Sequence, residues 1–136
     1  MSRYIALIDF ADGAYGVIFP DAPGCTAMGA TLDEAIADAT NALAEWVAEE
    51  IAEGRHAPRP RPIEELLADK DVRSAQGQGA VLASVPLLKD SGRLARANIS
   101  MDAGLLADID EAAQRQGVTR SAFIAAAARE RIRMTA

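Results

Sequence analysis

Residues 96–102, RANISMD, decide how the C-terminal third of the chain can fold. Polar and apolar side chains alternate along this stretch, which predicts a β-strand with two unlike faces. The polar face consists of Arg96, Asn98 and Ser100, and the apolar face includes Ile99 and Met101. No second strand-like stretch follows before residue 136, and a lone strand leaves its backbone groups unpaired. The strand therefore needs a partner from elsewhere.

Two helices are predicted after this strand. Asp102 is the expected N-cap of the first helix, 103–116, which Gly117 ends, and Thr119 is the expected N-cap of the second helix, 120–132. A strand and two helices of this length cannot bury a core alone. We expect two copies to pair their strands antiparallel about a two-fold axis, over four packed helices. The predicted dimer core consists of Ile99, Met101, Leu105, Ile109, Phe123 and Ile124.

Residues 94–134 resemble the ribbon-helix-helix family of repressors, through the stretches NISMD, LLADIDEAA, GVTRSAFI and RERI. The resemblance implies that Arg96, Asn98 and Ser100 read base edges, because a two-stranded ribbon fits the DNA major groove. It also implies that the start of the second helix contacts a DNA phosphate, which agrees with the affinity of helix N-termini for anions. The residues concerned are Thr119, Arg120 and Ser121. The alternative is a solvated strand face followed by an ordinary helix cap.

The first 29 residues predict three strands. RYIALID, 3–9, and AYGVIFP, 14–20, are rich in β-forming residues, and CTAMG, 25–29, can add a third strand. Asp12-Gly13 is a favoured hairpin turn, because both residues tolerate positive φ angles. The sequence therefore predicts a hairpin extended by one more strand.

A long helix is predicted next. TLDE is a capping box with Thr31 as the N-cap and Glu34 three residues later, and Gly54 is the expected stop. An apolar stripe at helical spacing is expected to face the sheet. The stripe consists of Ile36, Ala39, Leu43, Trp46, Val47 and Ile51. The acidic residues, which fall largely elsewhere on the helix surface, are Asp33, Asp38, Glu45, Glu49 and Glu53.

The remainder of this half predicts a connector, a short helix and a strand. These are RHAPRPRP at 55–62, PIEELLADKD at 62–71 and QGQGAVLASVPLL at 76–88. The predicted fold class is α+β, with a β-β-β-α-(α)-β domain over residues 1–88, a linker at 89–93 and a β-α-α domain at 94–136.

Residues 3–88 resemble the N-terminal domain of HicB-type antitoxins from HicA–HicB toxin–antitoxin systems. The matching elements are the Asp12-Gly13 turn, Phe19-Pro20-Asp21, Pro23-Gly24-Cys25, Gly29 and the Thr31–Glu34 helix start. The resemblance implies a partial ribonuclease H-like fold that binds and blocks HicA, a small RNA-cleaving toxin. The whole chain is then expected to be an antitoxin that neutralises a HicA-like toxin, which cleaves mRNA, and represses its own operon by binding operator DNA.

The charge distribution fits two different partners. Residues 1–92 carry seven Lys and Arg against fifteen Asp and Glu, whereas residues 93–136 carry seven Arg against five acids. The acidic part suits a toxin whose RNA-binding surface must be positive, and the arginines of the other part suit DNA. A homodimer through the C-terminal domain is expected, and pairing of the N-terminal domains would give a tetramer.

We expect no catalysis, metal or cofactor. One cysteine and one histidine cannot build a zinc site of the usual ligands, and the single Cys25 fits a reducing cytoplasm. No stretch is apolar enough to span a membrane. Two alternatives stay open: a ribbon-helix-helix regulator with a ligand-sensing first domain, and a magnesium-dependent nuclease using Asp9, Asp12 and Asp21. The turn and the proline-rich loop account better for Asp12 and Asp21.

Overall fold

The computed structural model describes residues 2–89 and 94–135, and the chain forms two compact units, residues 1–89 and 90–135. The predicted linker, 89–93, lies outside the described residues except for Lys89. The first unit contains β1 (Arg3–Ala11), β2 (Ala14–Ile18), β3 (Thr26–Gly29), α1 (Leu32–Ala52), α2 (Ile63–Ala68), α3 (Lys70–Gly77) and β4 (Val81–Pro86). The second unit contains α4 (Ala103–Gln116) and α5 (Arg120–Met134). The α+β class is confirmed.

The four strands form one antiparallel sheet in the order β3-β2-β1-β4. The predicted hairpin is confirmed, since Asp12 and Gly13 adopt φ angles of 55° and 76° between β1 and β2. Strand β3 begins at Thr26, one residue later than predicted, because the Cys25 amide donates to the Ala22 carbonyl in the preceding turn at 3.0 Å.

The sheet has helices on both faces. Tyr4 and Ile8 of β1 point into the main core, which the sheet forms with the buried side of α1. Leu7 points the other way and packs with Leu66 of α2 and Val72 of α3 in a second, smaller core. This alternation follows from the pleat of the strand, which sends successive side chains to opposite faces.

Helix α1 begins as the capping box predicts. The Thr31 hydroxyl accepts a hydrogen bond from the Glu34 amide at 3.1 Å, and the Glu34 carboxylate accepts from the Ala30 amide at 3.1 Å. Gly54, with φ of 76°, follows the helix end. The prediction that Ile51 faces the sheet is wrong, because the last turn of α1 extends past the last buried position, Val47.

The segment before β4 differs from its prediction. In place of one helix at 62–71, the chain turns at Asp69, whose ψ of 131° interrupts the helix. The Asp69 carboxylate then caps α3 by accepting from the amides of Asp71 and Val72, at 2.8 and 3.2 Å. The strand predicted from residue 76 starts only at Val81, because residues 76–77 complete α3 and a turn follows.

The helices of the second unit agree with their predicted starts. Asp102 caps α4 through the Leu105 amide at 3.0 Å, Gly117 ends it with φ of 68°, and Thr119 caps α5 through the Ala122 amide at 3.1 Å. Helix α5 runs two residues further than predicted, to Met134. None of these helices, nor any other in the described part of the chain, is long and apolar enough to cross a membrane.

Candidate functional site

The predicted base-reading residues, Arg96, Asn98 and Ser100, are all exposed. They lie in segment 94–102, which forms neither helix nor strand in the single chain. A strand requires a hydrogen-bonded neighbour, and the prediction placed that neighbour in a second copy. The strand therefore stays a prediction about the assembly.

One of the three residues expected to contact a DNA phosphate at the start of α5, Arg120, forms an ion pair within its own unit. The Arg120 guanidinium donates twice to the Asp110 carboxylate of α4, from Nε and Nη2, both at 2.7 Å. This contact lowers the pKa of Asp110 below its ordinary value and raises the pKa of Arg120. One edge of the guanidinium is thus committed to linking α4 with α5, while Thr119 and Ser121 lie exposed at the helix start.

The predicted dimer-core residues are incompletely covered in the single chain. Ile99 and Leu105 are 61% and 52% exposed, whereas Met101, Ile109, Phe123 and Ile124 are half-buried. Ala113 alone among residues 94–135 is buried, and α5 has no buried residue. A pair of helices with so little buried apolar surface cannot offset the entropy lost on folding. The second unit therefore lacks a core of its own.

The first unit presents an acidic surface on α1. The five acidic residues predicted to avoid the sheet, from Asp33 to Glu53, are all exposed. Asp38 has a further role, since its carboxylate accepts a hydrogen bond from the Met28 amide of β3 at 3.1 Å. Because β3 is at the edge of the sheet, this contact occupies one amide that would otherwise be free to pair with another strand.

The aspartates of the nuclease alternative have separate surroundings. Asp12 forms the hairpin turn, and Asp9 lies exposed on β1. Asp21 is buried beside Arg61, whose Nε and backbone amide donate to its carboxylate at 2.6 and 2.8 Å. Within residues 2–89 and 94–135, no group of three or more His, Cys, Asp or Glu side chains could hold a metal ion.

Cys25, His56 and Trp46 lie in three different environments. Cys25 is buried, and its burial raises the pKa of the thiol. His56 is exposed, and Trp46 packs against the main core while remaining partly accessible.

Arg61 is a residue whose role the sequence did not reveal. Besides Asp21 it contacts the carboxylate of Asp69 through Nη1 at 3.0 Å, which lowers the pKa of Asp69 and raises that of Arg61. The connector 55–62 is also anchored by the Tyr4 hydroxyl, which donates to the Pro58 carbonyl at 2.6 Å. The predicted connector is therefore held against β1 by Tyr4 and against the β2–β3 turn by Asp21.

A groove on the second face of the sheet was also missed. It runs between α3 and strands β2 and β3, as two adjoining hollows of 220 and 350 Å³. Leu7, Ile18, Thr26 and Ala75 line both hollows. Its position depends on how much of the sheet the short helices cover, and no local sequence signal gives that.

Comparison with known proteins covers nearly the whole chain. A family model described as "HicB_like antitoxin of bacterial toxin-antitoxin system" matches residues 4–128. The solved structure of the antitoxin HicB from Burkholderia pseudomallei is 31% identical and has a TM-score of 0.56, covering 94% of this chain and 96% of that one. An uncharacterized 14.9 kDa protein from the rep-hol intergenic region of Haemophilus phage HP1 is 28% identical over 131 residues, which are 95% of this chain and 96% of the phage protein.

A structure of the HicA3 and HicB3 toxin–antitoxin complex contains a chain of the same fold. That chain is 24% identical, with a TM-score of 0.53, and the match covers 65% of this chain and 98% of that one. The family match spans parts of both structural units. The chain belongs to the HicB-like antitoxins of bacterial toxin–antitoxin systems.

Proposed function

We propose that this protein neutralises a HicA-like, mRNA-cleaving toxin with its first unit and represses its own operon with its second. The observation that carries the proposal is the family match over residues 4–128, which runs from β1 into α5. Toxin binding is assigned to the first unit because of its negative charge. DNA binding is assigned to the second unit because a single copy of that unit lacks a core.

The toxin is assigned to the first unit because of charge complementarity. A protein that holds RNA needs a positive surface to contact the phosphates. Residues 1–92 carry a net charge of −8, and the five acids named above, from Asp33 to Glu53, are exposed. Opposite potentials speed the encounter of two proteins and exclude wrongly charged partners. The acidic unit therefore attracts the toxin and keeps RNA away from the complex.

DNA binding is assigned to the second unit because it is incomplete as a single copy. Pairing segment 94–102 of two chains would satisfy the backbone of both strands and cover Ile99 and Leu105 with apolar surface. The paired strands would then present Arg96, Asn98 and Ser100 twice, at a spacing suited to the major groove. The exposed start of α5 would position the dimer on a phosphate through free amides, with Thr119 and Ser121 beside it.

The toxin assignment is tested by co-purification. The assignment implies that a short, basic toxin is encoded beside the gene of this chain. This chain is tagged and expressed with the neighbouring short reading frame, and the RNA cleavage of the purified mixture is measured. We expect a stable complex without RNA cleavage. Undiminished ribonuclease activity, together with failure of the tagged chain to retain the toxin, would contradict the assignment.

The DNA assignment is tested by Arg96→Ala and Asn98→Ala, with Arg115→Ala as the matched control. Arg115 is an exposed arginine in the last turn of α4 and is outside the predicted ribbon. Losing a good base contact costs about 1–3 kcal/mol of specific binding, so we expect roughly 5- to 150-fold weaker operator binding for the ribbon variants. The Arg115→Ala control should weaken specific and non-specific DNA binding equally. Equal behaviour of all three variants would overturn base reading by the ribbon.

A further inference from the structure

The second face of the sheet is covered over only part of its width. Helices α2 and α3 pack on the Leu7 side of β1 and on β4. The register places Leu7 opposite Ile18, which is opposite Thr26, and Asp9 opposite Gly16, which is opposite Met28. Residues directly opposed in a sheet share a face. Beyond Leu7, these two rows continue over β2 and β3; we call Asp9, Gly16, Ile18, Thr26 and Met28 the open strip.

The open strip is apolar at its centre and accessible. Ile18 is 50% exposed and Met28 is 65% exposed, although both belong to strands of a four-stranded sheet. The groove described above separates Ile18 from α3, and it reaches Asp69 and Asp71 at one end. Large apolar side chains gathered on one exposed face of a folded unit are typical of an interaction surface.

Acidic groups lie on and around this apolar centre. A Cβ atom at Gly16 would come within 2.7 Å of Asp9 Oδ1, so the Asp9 carboxylate lies directly over the bare backbone of Gly16. Asp9 forms no ion pair with any residue in 2–89 or 94–135. Asp38 adjoins the β3 edge through Met28, and Asp71 adjoins the groove. An apolar centre with a charged rim is the usual anatomy of a protein–protein interface.

We propose that the open strip is the docking centre for the toxin, which is a small cationic RNA-binding protein. The inference rests on the proposed function and adds where the partner contacts this chain. A second copy of this chain is disfavoured, because its own acidic rim would face Asp9 and Asp71. Nucleic acid is disfavoured by the same charges. Because Asp38 already occupies the Met28 amide, the partner lies on the face of the sheet and does not extend β3 at that point.

The test introduces positive charge into the strip with Ile18→Arg and Met28→Arg, separately and together. The matched control is Val81→Arg, which introduces the same charge at an apolar residue 56% exposed on β4, at the opposite edge of the sheet from β3. The probe is the product of the neighbouring short reading frame, which the proposed function expects to be the toxin, and affinity and residual RNA cleavage are measured for each variant. Trp46 fluorescence establishes that each variant is folded, since this side chain packs against the main core.

We expect each strip variant to bind at least about tenfold more weakly, as for a central interface residue, and the double variant to leave the RNA cleavage active. Val81→Arg should bind and silence the toxin like the wild type. If folded strip variants bind as tightly as the wild type, the docking site is elsewhere while the antitoxin assignment stands. If the wild type itself binds no toxin, the proposed function fails. A change in oligomeric mass caused by the strip variants in the absence of toxin would assign the strip to a second copy and overturn the proposal.

Discussion

Gly29 permits the contact between the end of β3 and the first turn of α1. A Cβ atom built at this position would lie 2.4 Å from the Ala35 amide nitrogen, 2.8 Å from the Glu34 carbonyl carbon and 2.9 Å from Ala35 Cα. All three neighbours are backbone atoms, which cannot rotate away as a side chain can. Gly29→Ala should therefore force β3 away from the helix.

The magnitude follows from the size of this overlap. Overpacking a well-packed site costs about 1–3 kcal/mol, and we expect about 3 kcal/mol here because a helix backbone has to move. For a unit of this size, each kcal/mol lowers Tm by roughly 4–8 °C, so the expected decrease is more than about 10 °C. The loss should appear in the first unit alone, since Gly29 belongs to that unit.

The matched control is Gly77→Ala. Gly77 is the last residue of α3, and a Cβ atom there would meet nothing within 4 Å. Alanine is the better helix former, so we expect unchanged stability or a gain of up to about 1 kcal/mol. Both variants can be followed by urea unfolding with Trp46 fluorescence, because Trp46 is the single tryptophan and packs on the main core. An unfolding midpoint for Gly29→Ala equal to that of the wild type would refute the argument.

Three further predictions follow from the ion pairs and from the incomplete second unit. Arg61→Ala should lower the free energy of unfolding by about 1–3 kcal/mol, because the buried Asp21 loses one donor but keeps the backbone amide of residue 61. The control is Arg55→Ala, which removes an exposed arginine and for which urea unfolding should detect no change in stability. Arg120 lowers the pKa of Asp110, so this ion pair stabilises the second unit at pH values above the pKa that Asp110 has in the unfolded chain. The stabilisation is lost as the pH falls below about 4. Asp110→Asn should therefore reduce the acid dependence of the helix signal in circular dichroism. Dilution should reduce the helix content of α4 and α5 while the tryptophan fluorescence stays constant, and a helix content independent of concentration would contradict dimer formation through the second unit.

The features that the sequence predicts well are local. The N-caps Asp102 and Thr119 and the stop at Gly117 lie within a few residues of the groups they satisfy, so their patterns were sufficient to place both helices. The Asp12-Gly13 hairpin is local in the same way. For such elements, the chain carries the hydrogen-bonding partner next to the residue that needs it.

The features that were missed depend on distant residues. Asp21 and Arg61 are separated by 40 positions, and neither residue alone indicates that the other will neutralise it in the fold. Helix α3 was missed because its last two residues, Gln76 and Gly77, were interpreted as the opening of a strand, whereas the cap at Asp69 starts a helix. The open strip was missed for a related reason: alternation predicts which side chains of β2 share a face, but the coverage of that face is set by two short helices elsewhere in the chain.

The two units also differ in whether one chain is enough to form their binding surfaces, and this difference bears on function. The first unit has two cores within one chain, so its surface, including the open strip, exists before any partner arrives. The second unit exposes Ile99 and Leu105 in the single chain, so under the proposal its DNA-reading surface would form only when two chains meet. Toxin binding would then act on a preformed site, whereas operator binding would depend on protein concentration. A toxin that brings two chains together would strengthen repression, and one that separates them would release the operator, without either partner contacting the other's site.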